Sequence, residues 1–290
     1  VNLVESWRLM LIVDPAPLYR MTAAPLVQAV AQVNFPIVPK LQTLEGIAPL
    51  QERLSDLLPY LNQQVVQEVS LMVGPAGPVS PSTQATTFNL FTDDDGWTLQ
   101  VSVSSATLSV DGEHYRGVDD FRQRLERVWH ALHDEAEVRR CDRLGVRYLD
   151  VIEADGSEWA TWFQPAIVGL AHPDLSGPTL ASTLTETRLQ AEPAGPLEGF
   201  AGPVEGIIRH GVVPAGTVIQ NVPPRPIPHR SFLFDMDIFI ATPEPFQPQH
   251  LADQFTALHA ELEKVFHWAV TEAGRTHFGY EVISDTGGTA

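Results

Sequence analysis

Apolar and polar residues alternate from Leu26 onward. Val27, Ala29, Ala31, Val33 and Phe35 fall on one face, and Gln28, Gln32 and Asn34 on the other. This period of two predicts a half-buried strand, ended by Pro36. Leu50, Leu54, Leu57 and Leu58 repeat at helical spacing behind Pro49, which suits a first turn, and Pro59 closes that helix. Val65–Val73 reads as a second strand and Gly74–Pro81 as a turn region. A meander follows: Thr86–Thr92 and Trp97–Val103 flank Asp93-Asp94-Asp95-Gly96, a hairpin signal, and Ala106–Val110 runs into Asp111-Gly112. Val118–His133 has the helical stripe Phe121, Leu125, Val128, Trp129 and Leu132, with Asp119 and Asp120 at its positive start. Strand character resumes from Cys141 to Ile152.

The second half is less regular. Thr179–Gln190, Val204–Val213 and Thr217–Val222 read as strands, Pro193–Pro203 as a loop, and Pro223, Pro224, Pro226 and Pro228 as a stiff extended connector. Ser231–Ala241 carries Phe232, Phe234, Met236, Ile238 and Ile240 on one face. Gln249–Glu272 has the stripe Leu251, Phe255, Leu258, Leu262, Val265 or Phe266, and Ala269, with Gly274 as a stop. In both halves a strand-rich stretch feeds a long amphipathic helix. Without regular strand–helix alternation, the expectation is an α+β fold: a largely antiparallel sheet, long helices on one face, and two similar strand-then-helix lobes. Residues 1–20 are expected to lie outside the core, 21–152 to form the first lobe and 153–290 the second, sharing one sheet.

Composition then removes function classes. With 18 Lys+Arg against 36 Asp+Glu, the formal charge of -18 disfavours general binding to nucleic acid or an anionic membrane. The apolar run Leu9–Val13 is far too short to span a bilayer, so a cytoplasmic protein is expected. One cysteine excludes an internal disulfide framework. Lys40 and Lys264 are the only lysines, and no phosphate-cradling loop, dinucleotide fingerprint or nucleophile elbow occurs. No cofactor is implied.

Chemistry is sparse. Arg143 and Arg147 share one face of their strand with Cys141 and Gly145, opposite Leu144, Val146 and Tyr148; Asp235 and Asp237 share the polar face of theirs. If the two strands adjoin, the four charges form a structural ion network. Alternatively the two arginines form an anion pocket for a phosphate or carboxylate, with Gly145 letting the ligand approach the backbone. Asp235/Asp237 has the spacing of an acid–base pair, whereas Asp93, Asp94 and Asp95 suit turn geometry. His130 and His133 could share a helix side, but no partner helix completes a metal set, so no metal is expected; His259 and His267 read as packing or surface residues. Cys141 reads as a buried, inert thiol, and Trp159, Trp162 and Phe163 as core. Catalytic residues are therefore not assigned. The expected function is non-catalytic: an interaction or regulatory protein whose acidic surface attracts a basic protein partner. The alternative is a small-anion ligand protein or enzyme using Arg143 and Arg147.

Four segments carry a resemblance: Gln32-Val33-Asn34-Phe35-Pro36; Tyr115 with Asp119-Asp120-Phe121; Arg143-Leu144-Gly145-Val146-Arg147-Tyr148; and His259 with Phe266 and Thr271. Together they resemble the sporadically distributed prokaryotic family of unknown function over Met21 to about Gly279. The arginine strand is the most specific of them, and Pro173–Arg230 has no match. The resemblance implies family membership and brings no activity, cofactor or catalytic residue.

Overall fold

The computed structural model describes the chain except residues 1–15, 18, 71–72, 75–76, 79–81, 154–157, 177–179, 192–201, 219–225 and 284–290. The fold is α+β. Its main sheet has nine strands, which we label β1 (Leu26–Asn34), β2 (Tyr60–Ser70), β3 (Ser82–Thr92), β4 (Trp97–Val101), β5 (Ser105–Asp111), β6 (Arg143–Glu153), β7 (Thr185–Ala191), β8 (Val204–Val213) and β9 (Ser231–Ile240). They lie in the order β7-β8-β9-β6-β1-β5-β4-β3-β2, and every pairing is antiparallel. The helices are α1 (Leu44–Leu54), α2 (Val118–Asp134), α3 (Pro248–Ala269) and α4 (Glu272–His277), with several shorter turns between β6 and β7.

The element order repeats. An inner strand (β1 or β6) is followed by helical segments and a meander. The last strand of that meander (β5 or β9) returns to flank the inner strand, and a long helix follows (α2 or α3). β1 and β6 pair with each other at the centre, so two strand-then-helix lobes share one sheet. The stripes read from sequence face inward: Phe121, Leu125, Val128, Trp129 and Leu132 on α2, and Leu251, Phe255, Leu258, Leu262, Val265 and Phe266 on α3, are all buried. The helices meet through Phe121 and Phe255, whose rings lie edge to face at 5.3 Å. Their outer rims are tied by Arg122 and Asp253 at 2.6 Å. With both helices on one face, the other face of the sheet carries Arg143 and Arg147 of β6, Arg209 of β8, and Asp235 and Asp237 of β9.

Several boundaries differ from the sequence expectation for physical reasons. Helix α1 starts at Leu44, because the Thr43 hydroxyl caps it by accepting from Gly46 N at 3.1 Å. Pro49 therefore lies inside the helix, where its ring gives up only the bond to one carbonyl. Strand β2 begins at Tyr60, earlier than Val65. As an edge strand whose Asn62, Gln63, Gln64 and Val65 are exposed, it starts with little hydrophobic alternation to read. The last helix is broken at Val270, which turns extended to form a β-bridge with Phe163. Thr271 then caps α4 by accepting from Gly274 N. Of the expected strand Thr217–Val222, a single bridge from Val218 to Pro226 is seen, and residues 219–225 lie outside the described set. So do most of the expected loop Pro193–Pro203 and parts of Gly74–Pro81.

The boundary expected at residue 20 falls inside the fold. Tyr19–Met21 pairs with Tyr280–Val282, and Tyr19 is buried with its ring stacked on Tyr280 at 4.3 Å. A three-residue strand shows no periodicity, and its partner lies at the opposite end of the described chain. The alternation expected along β1 also slips once. Between Leu149 and Asp150 of β6 the register jumps from Gln28 to Leu26, so Val27 bulges out and is 39% exposed.

Candidate ligand site

On the open face, β6 and β9 are neighbours with Arg147 directly opposite Asp237. The ion pairs run diagonally. Arg147 Nε and Nη2 donate to the two Asp235 oxygens at 2.6 and 2.9 Å, a bidentate pair. Asp235, 1% exposed, also accepts from Arg209 Nη1 at 3.3 Å, and Arg209 Nε donates to Glu186 on β7 at 2.9 Å. Arg143 Nη2 donates to both Asp237 oxygens at 3.1 and 3.0 Å, and its Nη1 to Gln32 at 3.2 Å. The space above Gly145 is taken by this chain itself: a Cβ there would collide with the Arg143 guanidinium, which lies over the Phe239 ring at 4.2 Å. An anion at these arginines would have to displace carboxylates already in place. Burial raises the Asp237 pKa, against the pull of Arg143 and Arg147.

A concavity with both apolar and polar walls lies on the helix face. A cavity of about 460 Å³ sits beneath α3, between residues 19–24, the turn 112–115, β6 and β9. Its walls are apolar at Met21, Leu26, Met236, Leu262 and Phe266, and polar at Tyr19, Tyr115, Tyr148, Asp150, His259 and Glu263. Four of the polar residues form one relay. The Tyr115 and Tyr148 hydroxyls are 2.6 Å apart; the Tyr148 hydroxyl is 2.8 Å from His259 Nδ1; and His259 Nε2 is 3.2 Å from Glu263 Oε1. An ionised carboxylate only accepts. With a neutral ring, His259 therefore donates from Nε2 to Glu263 and accepts at Nδ1 from Tyr148, which leaves Tyr148 accepting from Tyr115. Burial raises the pKa of Tyr115 and of Tyr148, so both hydroxyls keep their protons.

Asp150 stands outside this relay. Period two along β6 puts it on the helix face with Tyr148, and the β1 bulge falls at its register position. It is 3% exposed, and its Oδ2 finds no hydrogen-bond partner among the described residues. Desolvation, and secondarily the charge of Asp235 on the neighbouring strand, pushes its pKa up to about 8. At neutral pH it is mainly a neutral acid.

Of the other residues singled out in the sequence, Asp93 is a turn residue: its Oδ1 accepts from Asp95 N and Trp97 N at 2.9 Å each. Cys141 is buried, its thiol pushed up to about 12 by desolvation. His130 is exposed, and His133 Nδ1 lies 2.8 Å from its neighbour Asp134. Among the described residues no group of three His, Cys, Asp or Glu side chains is placed to hold a metal, and no helix is long and apolar enough to cross a membrane. Trp159 and Phe163 pack on Phe232 in the core. His259, read from sequence as packing or surface, is buried at the centre of the relay. Sequence reasoning missed Asp150, Arg209 and Glu186 entirely. The one available signal was a polar residue, Asp150, following Tyr148 at period two on a core-facing side. Tyr115, Tyr148 and His259 come from three separate chain segments, and folding links them into one hydrogen-bonded chain through Tyr148. No protein-family model matches the chain, and no curated protein matches it.

Proposed function

We propose that the protein binds a small organic molecule in the cavity beneath α3. The observation that carries this reading is a buried carboxyl with an unpartnered oxygen on the wall of a cavity of about 460 Å³, a volume in the range of small-molecule sites. Leaving such an oxygen unsatisfied costs about 1–3 kcal/mol, so a fold without use for the group gains by replacing it. The apolar walls can take a hydrocarbon body while the polar end fixes its orientation. A basic protein partner, expected from net charge alone, would need no such cavity. The test is a thermal-shift screen of small metabolites grouped by charge, on the wild type and on Ala24→Trp, which plugs the mouth at an exposed position. A specific ligand raises the melting temperature of the wild type by mass action and leaves the plugged variant unmoved. Equal shifts in both proteins, or none in either, would overturn the reading.

A further inference from the structure

We infer that the cavity beneath α3 is a site for a primary ammonium group carried on an apolar body, with Asp150 as its counter-ion; this rests on the small-molecule reading above. Three observations carry it. With His259 as the neutral ring, the relay sends its hydroxyl protons toward Glu263, and Tyr115 at its end has lone pairs to offer. Asp150 Oδ2 lacks a donor. The cavity's charged lining is acidic apart from Arg20, and Arg20 is held by Glu281 at 2.6 Å. Once ionised, Asp150 only accepts, as do the lone pairs of Tyr115, and together they recognise a group made of donors; an ammonium brings three N–H bonds and the compensating charge.

The burial that keeps Asp150 neutral makes binding release a proton. The acid ionises as the ammonium docks, and its proton goes to solvent. The groups that face Asp150 across the cavity are Glu263 and His259 on α3, Tyr115 and Glu113 in the turn after β5, and Tyr19 and Arg20; Tyr148 shares its strand, and Asp235 acts through the sheet from β9.

The experiment is calorimetric titration with three probes of one shape: phenethylamine (cation), 2-phenylethanol (neutral) and 3-phenylpropionate (anion). Phenethylamine is expected to bind at least about tenfold more tightly than the alcohol, the worth of one charge-assisted bond, and the anion not at all. Its affinity should rise about 20-fold from pH 6.5 to pH 8.5, following ionisation of an acid near 8. Asp150→Asn should bind the amine at least about tenfold more weakly and lose the pH dependence. Should that variant fail to fold, titrating the wild type in two buffers of different ionisation heat decides the matter, with close to one proton released per amine at pH 7 and none for the alcohol. Equal affinity for amine and alcohol, or a pH profile unchanged in Asp150→Asn, would overturn the ammonium site while leaving the cavity a ligand site. If none of the three probes binds, the ammonium site falls, and the metabolite screen on wild type and Ala24→Trp decides the cavity reading.

Discussion

Replacing Asp150 by asparagine keeps the side chain's shape and removes its titration. The unfolded chain gives up the Asp150 proton near 3.8 and the folded chain near 8. Between those pH values the folded state binds the extra proton, so this group's contribution to stability is complete below about 4 and is lost as pH rises toward 8. At about 1.4 kcal/mol per pH unit, the wild type loses roughly 5–6 kcal/mol across that window. The asparagine side chain carries no such slope, and its buried amide carries the same kind of unsatisfied-group cost, about 1–3 kcal/mol, as the neutral acid it replaces. The variant should therefore be more stable than the wild type by about 1–2 kcal/mol at pH 5 and by about 5 kcal/mol at pH 8. Urea unfolding followed by circular dichroism at half-unit pH steps measures the difference directly. A difference that stays constant from pH 5 to pH 8 would mean that Asp150 is ionised throughout, and the account of a neutral buried acid would be wrong.

On the open face, Asp235→Ala removes the acceptor shared by Arg147 and Arg209 and should cost about 3–5 kcal/mol. Arg143→Ala, which breaks a less buried pair, should cost about 1–3 kcal/mol, and equal losses in urea unfolding would refute this ranking. Tyr148→Phe takes out the hydroxyl between Tyr115 and His259 and should destabilise by about 1–3 kcal/mol; an unchanged unfolding midpoint would show that the relay contributes nothing. Gly112→Ala puts a Cβ into the Leu26 carbonyl oxygen at the cavity rim, a backbone clash expected to cost about 1–3 kcal/mol and to show as a lowered melting temperature. Cys141 should resist iodoacetamide in the native protein at pH 8, since its thiol is pushed up to about 12, and react fully in urea; rapid native labelling would contradict its burial.

Much of the architecture was legible because periodicity is a local property. The stripes of α2 and α3, the Asp93–Gly96 hairpin and the alternation of β9 each depend on neighbours a few residues apart, and together they led to an antiparallel sheet with helices on one face. Edge strand β2 was blurred because its Asn62-Gln63-Gln64 stretch has no buried side to mark. Helix α3 was read too long because the β-bridge that stops it, between Val270 and Phe163, joins residues far apart in the chain.

The site followed the same division. Period two by itself placed Arg143 with Arg147 and Asp235 with Asp237, and placed Tyr148 opposite the arginines. Which strands adjoin, and that the guanidinium above Gly145 comes from Arg143 rather than a ligand, was decided by the tertiary structure. So was the cavity, whose walls come from residues near 20, 113, 150, 236 and 260. A side chain's hydrogen-bond partners and its pKa are set by whatever surrounds it in three dimensions: His259 meets Tyr148 from 111 positions away, and Asp150 feels Asp235 from a different strand.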